Sequence, residues 1–336
     1  MTGRIVLAAM LVAAVLGLAP SPAAAQSACT WQKQLLPAPA GTTQHQVDAT
    51  DHSGGFAGRA YFSATGWRVV YWKNGRVIDY GSSGRGTDRV VAQNRAGTIA
   101  GMALKGLQGA QAVSFRIRSG QWELLPGFPG AETNSRAVGI AGNDDVYGHA
   151  TVWQDGGWET FPIRWPHDRP GVVEQVTGLP DDMGVVGVDH DGTLLVGAGS
   201  TYPWPHLWRD GVLTRLPAPP DTQHGYAQVI ADGLVGGSLR LGTAPNRPAY
   251  WDRNGQPHVL PQGAQVAQLN GDGLVVSSVS GAPFQVWRYG TLLGQLDGAA
   301  TVTAVGDDDS IGGTTRNPGS SLPAAAVWRC AGTVMG

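Results

Sequence analysis

Residues 224–261 read HGYAQVIADGLVGGSLRLGTAPNRPAYWDRNGQPHVLP. The stretch divides at its turns. An alternating segment, 226–230, meets a tight turn at Ala231, Asp232 and Gly233 and continues as the apolar run 234–238. A polar connection leads to Ala249, Tyr250 and Trp251, then to a second turn at 252–255 and a last segment ending in Leu260 and Pro261. Asp-Gly and Asn-Gly supply the positive φ that tight hairpins need. The stretch is therefore four short strands, with tight turns after the first and the third.

Working outward, the same scheme recurs along the chain. Aligned on the residue that follows the second apolar strand, the units fall at Gly58, Gly101, Gly148, Gly197, Gly237, Ser277 and Gly313, with spacings of 36 to 49 residues. Seven units of this size, each with four short strands, are the signature of a β-propeller. The units before and after the quoted one pair as 45–60 with 68–80, 88–103 with 112–126, 135–150 with 151–162, 184–199 with 205–217, and 264–279 with 284–296. In that division the third-strand aromatic is Trp72, Trp153, Trp208, Trp251, Trp287 or Trp328, with Phe115 once. A large aromatic at one strand position in every unit predicts packing between neighbouring blades rather than ligand stacking.

Composition agrees with an all-β chain. Charged residues make up 14% of the 336 residues, against a usual quarter, while Gly 50, Pro 22 and Trp 12 are high. No long segment shows helical spacing of apolar residues. The net charge of −2 excludes the basic footprint of a nucleic-acid or anionic-membrane binder. Residues 1–25 read as a signal peptide: Arg4 is their only charge, 5–19 are apolar, and Ala23 and Ala25 precede a cleavage point before Gln26. The apolar run is short for a membrane span and ends in Pro20 and Pro22. The expectation is a secreted, monomeric, single-domain propeller over 26–336.

The layout is similar to that of WD40-type blades, without their Gly-His and Trp-Asp signatures. That resemblance implies that the 226–230 type of strand is innermost and the 259–261 type outermost. The repeat also resembles the HAF repeat of extracellular bacterial proteins, whose units run roughly Ala-x-x-Ile-Asn, Gly-x-Ile-Val-Gly-x-Ser, then an Ala-Phe-x-Trp strand. AQLNGDGLVVSS (267–278) with FQVW (284–287), and AQVIADGLVGGS (227–238) with PAYW (248–251), come closest. Several units lack the Asn, and the His-Ala-Phe is absent. The resemblance implies a secreted propeller-like protein and transfers no catalytic residue.

The two cysteines, Cys29 and Cys330, sit near opposite ends of the chain. CTWQKQLLP (29–37) is an outermost-type strand with nothing before it, and AAVWRC (325–330) is a third-type strand with nothing after it. Each fills the other's vacancy. Laid on the hairpin around Arg209 and Asp210, the two cysteines flank the missing turn, which predicts a disulfide closing the last blade.

Chemistry is harder to find. No His pair has zinc-ligand spacing, and the clasped cysteines leave no thiolate, so neither metal nor cofactor is expected. DHDG (189–192) and GDDDS (306–310) fall at turns of the repeat and lack the further acids of a calcium loop. GSSGRG (81–86) lacks the Lys-Ser/Thr end of a phosphate loop, and no Gly-x-Ser-x-Gly elbow is present. The sector that departs most from the repeat is 162–184, with Arg164, Trp165, His167, Asp168 and Arg169. The following loops add Tyr202, Trp204, His206, His224 and Tyr226. Exposed Trp, Tyr and Arg are what binding hot spots use. These residues are the candidate ligand surface, on the face that carries the long connections. The expected ligand is a carbohydrate, a cell-wall component or a protein. The alternative is an extracellular propeller enzyme, of lyase, lactonase or glycosidase type, working at the central channel with His45, Asp88, Arg89, Arg136 and Tyr226 near the inner-strand ends.

Overall fold

The computed structural model describes residues 29–331, apart from 107–110, 132–133, 155, 181–182, 199–203 and 318. The expected signal peptide lies outside the described residues. Among these residues, 28 strands form seven four-stranded antiparallel sheets, with no helix. The first strand, β1 (Thr30–Leu35), belongs to the last blade. Blade 1 is β2 (Thr42–Thr50), β3 (Phe56–Phe62), β4 (Gly66–Lys73) and β5 (Arg76–Gly81). Blade 2 is β6 (Thr87–Gln93), β7 (Ile99–Lys105), β8 (Gln111–Arg118) and β9 (Gln121–Leu124). Blade 3 is β10 (Ser135–Ile140), β11 (Val146–Gln154), β12 (Gly157–Trp165) and β13 (Glu174–Gln175). Blade 4 is β14 (Met183–Val188), β15 (Leu194–Ala198), β16 (His206–Arg209) and β17 (Val212–Arg215). Blade 5 is β18 (Thr222–Ala231), β19 (Leu234–Leu241), β20 (Arg247–Trp251) and β21 (Pro257–Val259). Blade 6 is β22 (Gln265–Leu269), β23 (Leu274–Val279), β24 (Ala282–Arg288) and β25 (Thr291–Leu296). Blade 7 is β26 (Ala299–Val305), β27 (Ile311–Arg316) and β28 (Pro323–Ala331), completed by β1.

The ring closes as the termini predicted. β1 pairs antiparallel with β28 from Thr30 opposite Ala331 to Leu35 opposite Ala326, and Cys29 is disulfide-bonded to Cys330. The Cys29 N–H also donates to the Leu293 carbonyl in blade 6 (2.8 Å), which ties the added strand to its neighbour.

Each innermost strand bulges at the same level, at Asp48, Val91, Val138, Val186, Gln228, Ala267 and Thr303. A bulge bends its strand and re-aims the backbone. Here the second strand passes so close that a Cβ at Gly58, Gly148, Gly237 or Gly313 would lie 2.0, 1.9, 1.8 or 2.0 Å from an inner-strand carbonyl oxygen. That clash is the reason for the repeated Gly. Where Ser277 replaces it, the hydroxyl accepts from Trp287 Nε1 (2.9 Å).

Blades are joined by indoles. Trp72, Trp165 and Trp251 donate to the carbonyls of Pro37, Pro126 and Pro217, which end the outermost strand of the preceding blade. Trp328 does the same with Asp297. All four rings are buried within clusters such as that of Val47, Phe56 and Trp72 with Ala304 and Val327. The turns are joined as well. Asn94 and Asn270 each cap their own turn through Oδ1 and donate through Nδ2 to the next blade's turn, at Ala141 and Gly306.

Blade 3 corrects the expected strand division. Residues 151–153 complete β11, and the third strand is Gly157–Trp165. The interblade indole is therefore Trp165, 1% exposed, and not Trp153, 57% exposed. Both readings satisfy an Asp-Gly turn. The ring selects the one that puts Trp165 against Pro126.

Candidate functional site

The seven innermost strands surround a channel of about 210 Å³. Its middle is aliphatic, with Val91, Val138, Val186 and Val229 beside Gly139 and Gly187. Both ends are polar, and they differ. On the face of the tight turns, Arg95 of blade 2 reaches across to Asp232 of blade 5 and to Asp307 of blade 7 (2.8 Å). His52 stands 3.7 Å from Asp307. Burial opposes ionisation of Asp307, but His52 and Arg95 outweigh it and hold its carboxyl down at about 2. The bonds to Asp232 and Asp307 in turn raise the Arg95 guanidinium above its ordinary range. The acids and cations here satisfy one another and cap the channel.

The other end lies on the face of the long connections. Arg89, Arg136 and Tyr226 occupy one level on their inner strands, each opposite the residue that follows the tight glycine position. One level deeper is Asp48, which accepts from Gln46 Nε2 (2.7 Å) and lies 3.3 Å from Arg59 Nε. Burial lifts the Asp48 carboxyl above the usual range, against the pull of Arg59, Gln46 and Arg89. Arg59 in turn lies over the Trp67 ring at 5.0 Å. Burial, with Arg136 alongside, lowers the His149 imidazole. Among the described residues no group of three or more His, Cys, Asp or Glu is placed to hold a metal ion.

The same face carries a projection. β11 and β12 run on past the ring as a hairpin, with Thr151 opposite Thr160 and Trp153 opposite Trp158. The two indoles meet edge to face at 5.2 Å and are 57% and 67% exposed. Phe161 stacks on Phe128 at the base. Two large exposed aromatics paired at a hairpin tip have no packing task in the ring. Neither Trp belongs to the expected ligand surface: the repeat alignment places Trp153 between blades and gives Trp158 no role. The signal that marks them is the alternation of 151–153 and 158–161 about Asp155-Gly156, a hairpin pattern in its own right.

The residues expected to form one ligand surface are divided between the two faces. Arg164 and Trp165 end β12 at the tight-turn face. Arg164 pairs there with buried Asp145 (2.6 Å), which also accepts from the His167 N–H (2.8 Å). Asp168 and Arg169 follow in an exposed loop, with Arg169 on Glu174 (2.6 Å). Trp204, His206, His224 and Tyr226 lie on the opposite, long-connection face. Trp204 sits under Arg215 (4.5 Å) beside a hollow of about 380 Å³. Burial lowers the His206 imidazole, whose Nδ1 faces the Trp204 carbonyl (2.9 Å). His224 and Tyr226 meet at 6.2 Å. Tyr202 lies outside the described residues. The cause of the division is the β12 boundary: moving the third strand from 151–153 to 157–165 sends the loop after it to the other face.

Among known proteins, no family model matches this chain and no curated sequence is similar to it. Solved structures do resemble it. A streptogramin B lyase matches with a TM-score of 0.56 at 12% identity, over 90% of this chain and 98% of that one. A structure of the mitotic checkpoint complex matches at 0.54 and 13%, over 98% and 99%. A puromycin hydrolase matches at 0.56 and 14%, over 82% of this chain and 50% of that one. Enzymes and a non-enzyme share the architecture, and these likenesses establish the seven-bladed propeller fold alone.

Proposed function

We propose that this chain is an exported, monomeric, non-enzymatic propeller that binds carbohydrate of a cell wall or extracellular matrix on its long-connection face. The observation that carries the reading is the exposed Trp153–Trp158 pair at the tip of the projecting hairpin. Indole faces offer large rigid area for stacking on sugar rings, and exposed Trp is the residue most enriched at binding hot spots. Export is supported by the pattern of residues 1–25, by the HAF-like repeat and by a disulfide, which persists in oxidising compartments. The test is a screen of the secreted full chain against cell-wall and matrix polysaccharides, with Trp153→Ala and Trp158→Ala alongside. Retention by the native protein should drop at least tenfold in each variant. Undiminished retention by both would remove the hairpin from the site.

A second reading rests on Asp48. A carboxyl whose ionisation burial disfavours, 3.3 Å from Arg59 at the polar end of a channel, is placed for general-acid work. It predicts cleavage of a bound glycan that Asp48→Asn abolishes while binding persists. Absence of any chain shortening by the native protein decides for the binding reading.

A further inference from the structure

We infer that the ligand of the long-connection face is an anionic glycan whose charge is read by blade 2. This rests on Trp153 and Trp158 being a saccharide anchor. Three cations stand on that side of blade 2: Arg85 in the loop after β5, Arg89 near the start of β6 and Lys105 at the end of β7. All three are exposed. Among the described residues none of their side chains makes a hydrogen bond or a close ion pair.

Among the described residues the nearby acids are already engaged. Asp88, next to Arg89, is fully buried and accepts from the backbone N–H (3.0 Å) and the hydroxyl of Ser83. The Gly-rich 81–86 loop is thereby folded onto its own carboxylate and leaves Arg85 outside. Asp48 is engaged by Gln46 and Arg59 and feels Arg89 only through space. Blade 2 thus presents unneutralised positive charge on a chain whose overall charge is −2.

Aromatics flank this charge on both neighbouring blades. Blade 1 has Trp67, covered by Arg59 and met edge-on by Tyr61 (5.5 Å). Blade 3 has the Trp153–Trp158 hairpin. A glycan lying across the three blades would stack on indoles at blade 3 and place its acid groups over blade 2. Guanidinium and ammonium groups recognise carboxylate and sulfate through charge-assisted hydrogen bonds.

The test is calorimetric titration of the full chain with oligogalacturonate, its fully methyl-esterified form, a sulfated oligosaccharide and a single-stranded oligonucleotide. The proteins are native, Arg89→Ala with Lys105→Ala, and Trp153→Ala with Trp158→Ala. All four sites are exposed, and an unchanged thermal melt confirms each fold. The acid form should bind about tenfold more tightly than the ester. That advantage should shrink to about twofold or less in Arg89→Ala with Lys105→Ala, with ester binding unaltered. Loss of the Trp pair should weaken both forms. A sulfated sugar showing the same dependence on Arg89 and Lys105 supports the inference and assigns the anion to sulfate. Equal binding of acid and ester, both lost with the Trp pair, overturns the charge inference and leaves the saccharide reading standing. Binding of acid and ester that ignores the Trp pair overturns the saccharide reading. An oligonucleotide that binds more tightly than every sugar overturns both.

Discussion

The indole of Trp251 is fully buried and donates to the Pro217 carbonyl of the preceding blade at 2.6 Å. Trp251→Ala leaves a cavity and an unpaired carbonyl, and is expected to cost about 3–5 kcal/mol. Trp251→Phe, which keeps most of the ring, should cost about 1–3 kcal/mol. Urea denaturation of the two variants separates packing from the hydrogen bond, and equal losses would deny the bond a role. Acid stability is set at the same scale. Burial disfavours the Asp51 anion, but Lys73, Tyr71 and the N–H groups of Ser53 and Gly55 overcome it and hold the carboxyl at about 2, as His52 and Arg95 do for Asp307. Both folded values lie below the ordinary 3.8. Their stabilisation is therefore present above about pH 4 and lost as pH falls toward 2. Asp48 and Asp189, raised by burial, titrate with the opposite sign and offset part of that loss. Denaturation midpoints followed from pH 6 to pH 2.5 should fall mainly below pH 4, and the fall should be smaller in Asp51→Asn. A midpoint independent of pH in that window would contradict the assignment.

At the scale of the element, the tip of the β11–β12 hairpin stands outside the packing of the ring. Its tip residues cover no core, so Trp153→Ala and Trp158→Ala should change unfolding free energy by no more than about 0.5 kcal/mol. Trp165→Ala, twelve positions along from Trp153 and buried against Pro126, should cost as much as Trp251→Ala. Thermal melts of the three variants rank them. A large loss at Trp153 with none at Trp165 would reinstate the strand division read from the repeat. Little separates the roles in sequence: both residues are Trp, and an Asp-Gly turn sits between them. The tight-turn hairpins elsewhere differ in kind. In blade 1 the third strand ends in Lys73, which returns to Asp51 of the first turn. Arg164 returns to Asp145 in the same way, which is why its loop serves the fold.

For the whole molecule, the clasp between Cys29 and Cys330 closes a loop with a sequence separation of 301, for which chain entropy sets a ceiling on the order of 5 kcal/mol. Reduction, or Cys29→Ser with Cys330→Ser, should lower the melting temperature and expose β1 to proteolysis first, because that strand then holds by pairing alone. A melt indifferent to reductant would show that the β1–β28 pairing suffices. The blade number, the four-strand scheme and this clasp are legible in the chain, because repeat spacing and turn chemistry are carried by contiguous residues. The long-connection face was legible at Trp204, which precedes β16, and at His224 and Tyr226, in the first half of β18. The grouping of Arg164, Trp165 and His167 with them was not, nor was the exposed Trp pair. Local turn chemistry is the same for a hairpin between the second and third strands as for one between the third and fourth. What distinguishes them is which indole finds a carbonyl and a core in the neighbouring blade, and that contact exists only once the two blades have packed together.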